Sequence, residues 1–321
     1  MSVFFVRLLR RTSPCAVLLV ISLLQAQGVA AAGAFPPVGE EFGGRPLAAA
    51  QASPGTQAKQ REPDAQPENL ALRNGLVIGT TAGLFALYGK SKWWDSGFGD
   101  GFKTTKEGWF GAGTRYGGID KLGHMYSNYA SMRLLTPLFE SVGNSHDASV
   151  WLAAFTTTGI FTGVEVIDGF SRKWKFSPED AVMNVVGTVL GAALETNPEL
   201  DRVLDFRVDY RRSSSSRFDP FGDYSGQKYL LVVKADGFAP LRRSPFLRYL
   251  ELGVGYGARG FDPGQERRRD AYVGVSINLA RLLADGAYGG EMHSTRFQRA
   301  TDRLFDLVQF PTIGYVRHSL D

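Results

Sequence analysis

The chain has 321 residues, 44% of them hydrophobic, enough to build one large or two modest packed domains. Its formal charge is only +4, and several of its arginines sit at the extreme N-terminus, so no concentrated basic stripe argues for a nucleic-acid partner. Cys15 is the single cysteine. If the segment carrying it is removed, disulfides, Cys-ligated metals and thiol nucleophiles are all excluded.

Residues 1–32 read as a secretory signal. Arg7, Arg10 and Arg11 form a basic start, Ala16 to Leu24 an apolar stretch, and Ala30 and Ala32 an Ala-x-Ala exit. The apolar stretch is short of the ~20 residues a span needs, so cleavage near Ala32 is expected, with retention as an anchor the alternative. Cys15 precedes the apolar stretch, the wrong side for a lipid-modified cysteine. Export is therefore expected, to the periplasm, with the choice between outer and inner membrane open.

Residues 33–68 are rich in Ala, Pro, Gly and Gln without a period and are expected to form a disordered linker. From Leu72 to Tyr88 the chain is apolar, with Gly75, Gly79 and Gly83 spaced for close approach of another backbone. Lys90, Lys92, Trp93 and Trp94 follow, the residue types that a membrane–water boundary selects. A buried soluble helix is the competing reading. Asp95 to Gly118 is aromatic and Gly-rich and reads as a long structured loop.

Three polar faces then appear inside apolar helices. Asp120, His124, Ser127 and Ser131 lie on a helix expected to be broken or kinked at Pro137. Thr158, Thr162, Glu165 and Asp168 lie on a helix expected over about 148–167, and Asp180, Asn184, Gly187 and Gly191 on one that starts at Ser177-Pro178-Glu179-Asp180. Steps of three and four put each set on one side of its helix. Buried carboxylates and imidazoles need partners, so the faces are expected to meet. Lys121, Arg172 and Lys173 are candidate cations for Glu165 and Asp168.

Residues 69–205 are thus expected to form a compact, membrane-associated four-helix bundle. Residues 206–321 are expected to form a small antiparallel β region with a C-terminal helix, making the fold α+β. Strands are expected at Tyr229 to Ala235, Tyr249 to Tyr256 and Ala271 to Leu279 from their period of two. A helix is expected over about 294–308, and Thr312 to Val316 is a candidate edge strand. Arg211 to Arg217 and Gly260 to Asp270 read as loops.

His124, Glu165 and Asp180 are the candidate acid/base residues, and His124, Glu165 and Asp168 the candidate ligands if a divalent metal is held. Asp120, Lys121, Asp168, Asn184, Trp93 and Trp94 are candidate binding residues. A buried network that only fixes helix packing explains the same pattern. No nucleophile elbow, phosphate-binding loop or His-Glu-x-x-His helix occurs.

The string Asp120-Lys121-Leu122-Gly123-His124 resembles the D-K-x-x-H signature of the YfiM-like predicted periplasmic lipoproteins of unknown function. Glu165 to Ser171, then Phe176 to Asp180 with Asn184 and Gly187, resembles that family's second signature, and Lys92-Trp93-Trp94 is similar to its upstream tryptophan motif. A looser likeness reaches the VanZ-like membrane proteins through Asp120, Lys121, His124, Glu165, Ser177, Asp180, Asn184 and Gly187. The resemblance implies an exported cell-envelope protein that partners a membrane and an envelope protein or lipid. A structural or binding role is the leading expectation. The alternative is an envelope enzyme acting on a lipid-linked or cell-wall precursor.

Overall fold

The computed structural model describes residues 68–213, 219–261 and 265–321. The signal expected at 1–32 and nearly all of the 33–68 linker lie outside them, as do residues 214–218, with three of the four consecutive serines, and residues 262–264, with Pro263-Gly264. The fold is α+β: four long helices, then shorter helices around a five-stranded antiparallel sheet.

Helix α1 (Leu70–Lys92) runs through the whole Gly-spaced apolar stretch and ends on Lys90 and Lys92, whose charges suit a helix C-terminus. Only Val77 and Gly89 are buried in it. It is tied to the rest by the Asn74–Asn144 amide pair and by an edge-to-face contact between Phe85 and Phe161. Among the described residues the close approach expected at Gly75, Gly79 and Gly83 does not occur; a Cβ at any of them would meet nothing of these residues within 4 Å. Leu72, Leu76, Leu84 and Leu87 face outward instead. The fourth helix is therefore held much less closely than a compact bundle requires.

The tight packing belongs to α2 (Ile119–Ser141), α3 (His146–Phe170) and α4 (Pro178–Thr196). Helix α2 passes through Pro137 without ending, because Leu135, Thr136 and Phe139 on either side of it are buried and hold the last turn in place. Ser145 caps α3 through Ala148 N, and Ser177 caps α4 through Asp180 N, with Pro178 at the first helical position. Helices α2 and α4 meet through glycine. A Cβ on Gly187 would lie 2.0 Å from the Met125 carbonyl oxygen, and one on Gly191 2.5 Å from Met132 Cβ. Gly187→Ala is expected to cost about 1–3 kcal/mol by overpacking against rigid backbone. Gly75→Ala, in open space, is expected to be neutral or slightly stabilising. Melting temperatures of the two variants check this contrast.

A short helix α5 (Pro198–Val203) leads into the sheet. Its strands are β1 (Leu204–Tyr210), β2 (Gln227–Lys234), β3 (Leu250–Arg259), β4 (Arg268–Ile277) and β5 (Gly314–Ser319), in the order β1-β2-β3-β4-β5. Strand β1 was not expected, although Leu204 to Tyr210 alternates apolar and charged residues at every step. Between strands lie α6 (Ala239–Arg242), α7 (Leu279–Ala287) and α8 (Arg296–Leu307). Leu279, read from sequence as a strand residue, opens α7, because Asn278 caps that helix through Arg281 N.

One half of the sheet's outer face packs on α2, where Tyr129, Phe206 and Tyr229 join Ile119, Leu194 and Leu307 in one core. The opposite face is charged and buried. Arg207 donates from Nη1 and Nη2 to the two Glu251 oxygens at 2.8 Å each, and also pairs with Asp205. Lys234 donates to Asp205 at 2.7 Å, and Ser276 to Glu251 at 2.8 Å. Glu251 and Asp205 are almost completely buried, while Leu250, Leu252, Val254, Val273, Val275 and Ile277 are exposed. The alternation is real, but its charged phase points inward.

Candidate functional site

Part of each polar face converges, with Asp120 and His124 of the first, Glu165 of the second and Asp180 and Asn184 of the third meeting, together with one acid from the aromatic loop. Gly117 and Gly118, both at positive φ, deliver the chain into α2. Asp120 and Lys121 in the first turn are thereby set beside the loop residue Glu107 and the start of α4. Lys121 Nζ lies 2.6 Å from Glu107, 2.9 Å from Asp120 and 2.7 Å from Asp180. Its side chain is 1% exposed. Burial works against its charge, yet Asp120 and Asp180 more than offset this and hold its pKa above the usual lysine value.

One turn along, His124 Nδ1 is 3.1 Å from Asn184 Oδ1 and 3.3 Å from Glu165 Oε1. Both neighbours are acceptors, so Nδ1 carries the proton. Asn128 donates to Asn184 Oδ1 at 2.6 Å, and Asn184 donates to Glu165 at 3.3 Å. Thr188 donates to Asn128 at 3.4 Å. His124 Nε2 stands 3.8 Å from Asp180, beyond hydrogen-bond reach. The His124 side chain is 24% exposed against 3% for Glu165 and 9% for Asp180, so the imidazole is the cluster's opening to solvent.

Of the remaining candidates, Asp168 accepts from Trp94 Nε1 at 2.6 Å. Trp93 accepts Trp174 Nε1 on its carbonyl, donates its backbone N–H to Gly89 and packs on Tyr88 and Trp94. Asp180, and not Asp168, completes a group whose potential ligand atoms, with those of His124 and Glu165, lie within 4.8 Å of one another. The candidate cations divide: Lys121 serves Asp180, whereas Lys173 lies near Asp95 and the Lys92 carbonyl. Glu165 is matched instead by His124 and Asn184. Thr158 and Thr162 are exposed and take no part.

Sequence reasoning missed Glu107, Asn128 and Thr188. Asn128 lies four residues after His124 and four separates Asn184 from Thr188, so the helical step was a usable signal for both. Glu107 sits in a loop without a period and carried none.

Burial raises the Glu165 carboxyl to about 7 and that of Asp168 to about 6. For His124 burial opposes the charge, but Asp180 and Glu165 prevail and its pKa is raised. All three groups hold protons more tightly folded than unfolded. The contribution of the two carboxyls to stability is full below about pH 4, where the unfolded carboxyls are also protonated, and is lost as pH rises through about 6 to 7; that of His124 is full below its unfolded pKa of about 6.5 and is lost as pH rises through its higher folded value. The melting temperature is expected to rise on going from pH 8 to pH 5.5, and Glu165→Gln to flatten that slope.

Residues 106–196 match a family model described as predicted periplasmic lipoprotein, DUF2279. That segment contains every side chain of the cluster from Glu107 to Thr188, and excludes the sheet. No curated protein and no solved structure matches the chain. Nothing in the comparisons supports the likeness to VanZ-like proteins. Residues 106–196 are thus similar to the predicted periplasmic lipoprotein family DUF2279, and the His124-centred cluster lies inside that matched segment.

Proposed function

We propose that this is an exported, membrane-associated envelope protein whose buried polar cluster locks α2, α3 and α4 together so that their apolar sides are presented outward. One observation carries this reading: polarity is arranged inside out. Lys121, Glu165, Asp180 and Asn184 pair with one another in the interior. Meanwhile Leu84, Leu87, Trp151, Phe155, Val185 and Val189 are each more than half exposed. Helices α1 and α3 are long and apolar enough to cross a membrane by length and composition. The family description supports export to the periplasm. An envelope protein or lipid is the expected partner.

His124→Gln tests the lock. The variant loses the Nδ1–H donor shared by Glu165 and Asn184, and a loss of about 1–3 kcal/mol in stability is expected, read by thermal unfolding. An unchanged melting temperature together with a lost envelope phenotype would instead favour a second reading. In that reading the cluster does acid/base or divalent-metal chemistry on a lipid-linked or cell-wall precursor. Its support is the partial exposure of His124 above a closed carboxylate pair and the close approach of His124, Glu165 and Asp180. Titration of the protein with Zn²⁺ or Mn²⁺ separates these chemistries: stoichiometric binding lost in His124→Gln is the result the metal version requires.

A further inference from the structure

The β region lies outside the family segment and carries its own unexplained surface. Leu231, Val254, Val273 and Val316 are partners in one row across four strands. Leu252 and Val275 pair in the next row, and Leu250 and Ile277 in the one beyond. Every one of these eight side chains is at least 37% exposed. The rows lie on the face that packs against α2 through Phe206, Tyr229 and Ala258; toward Leu250 and Ile277 that face is bare among the described residues. Just before β3, Phe246 is 80% exposed and Leu247 43%. The residues Arg242, Arg243 and Arg248 flank this tip.

We propose that this bare part of the sheet, with the Phe246–Leu247 tip, docks onto the anionic phospholipid leaflet of a bilayer. The inference rests on the reading that the protein is membrane-associated, and adds which surface makes the contact and to which lipid charge. Three observations point to lipid. First, the sheet buries Arg207, Glu251, Asp205 and Lys234 and exposes aliphatics, an order that favours a hydrocarbon neighbour over water. Second, the bare rows consist only of Val, Leu and Ile. Protein interfaces concentrate their energy in Trp, Tyr and Arg, with Leu and Val under-represented. Hydrocarbon needs no such anchors. Third, the cations are at the tip and not among the rows. Arg248 is balanced by Asp285 at 2.8 Å, whereas Arg243 is exposed and the side-chain hydrogen bonds of Arg242 among the described residues go to the carbonyls of Asp236 and Gly237. Cations beside a protruding aromatic complement anionic headgroups. The scale also fits: Leu250 to Val254 spans about 14 Å at the usual strand rise, close to the ~15 Å hydrocarbon depth of one leaflet.

The test is co-sedimentation of the full chain with phosphatidylglycerol-containing vesicles and with pure phosphatidylcholine vesicles. The comparison set is wild type, the double variant Leu252→Ser/Val275→Ser, the tip variant Phe246→Ser, and the helix variant Leu84→Ser/Leu87→Ser. Melting temperatures identify any variant that fails to fold, and Phe246→Ser, fully at the surface, serves if the double variant does. Support is at least a tenfold weaker binding of the sheet and tip variants to the anionic vesicles, and weaker wild-type binding to phosphatidylcholine or at high salt. If only the helix variant loses binding, the sheet proposal is overturned while the membrane-associated reading stands. If wild type does not bind either vesicle, both fall. If the sheet variants bind as wild type but turn a dimer into a monomer in sedimentation velocity, a second copy of the chain covers this face and the lipid proposal is wrong.

Discussion

Glu251→Ala is expected to destabilise the protein by about 3–5 kcal/mol, the usual cost of removing one member of a buried ion pair. Glu251 is 2% exposed and accepts two hydrogen bonds from Arg207 and one from Ser276. Its removal leaves Arg207 with Asp205, which Lys234 already engages, and with the neutral Gln309 side-chain oxygen. Burial opposes the Arg207 charge, and Asp205 and Glu251 together more than restore it, so a guanidinium losing half of its support cannot shed its proton to compensate. Against a typical stability of about 5–15 kcal/mol, the loss is large. Urea unfolding of Glu251→Ala should show a lower midpoint at unchanged slope. The double variant Arg207→Met/Glu251→Met, which removes both charges and keeps the volume, should recover most of the loss. Equal loss in the single and the double would show that the pair contributes packing alone.

Lys121→Ala is expected to cost a similar amount, about 3–5 kcal/mol, at neutral pH. Three carboxylates, those of Glu107, Asp120 and Asp180, lie within 2.9 Å of one buried ammonium. Without it they repel one another and must take up protons or water. The sign follows from linkage: in the variant the folded state binds more protons than the wild type does, so its deficit should shrink as pH falls. Thermal unfolding at pH 7.5 and at pH 5 checks this, with a smaller wild-type-to-variant gap at the lower pH as the expected outcome. Lys121→Arg should not rescue it, because a planar guanidinium cannot reproduce a point charge among three oxygens in so closed a space. A gap that is the same at both pH values would mean that the three acids are not held by this cation.

Much of the candidate site was legible because it is periodic. Asp120, His124, Asp180 and Asn184 stand at helical steps inside apolar helices, and Ser177-Pro178 announces α4 by local capping chemistry alone. The partners were less legible. Lys121 was available as a counter-ion for Glu165, yet it serves Asp180 and Glu107, and Trp94 holds Asp168. Each choice depends on how the 93–118 loop folds over α2 and α3, and that loop has no period to read. Gly187 and Gly191 carry a close helix contact whereas Gly75, Gly79 and Gly83 carry none, although the spacing is the same. Spacing permits approach; only a packed neighbour makes it.

The amino-acid order by itself determined the α+β division, the long helices, most of the strands and the existence of polar helical faces, because hydrogen-bonded repeat and side-chain period are local properties. Tertiary structure decided which way the strands face. An alternating strand is symmetric between its two sides, and the burial of Glu251 beneath exposed Leu250 and Leu252 follows from Arg207 and Ser276 meeting it on the inner face. Tertiary structure likewise decided that Asp180 and not Asp168 joins His124 and Glu165, since a buried charge settles wherever distant segments supply its partners.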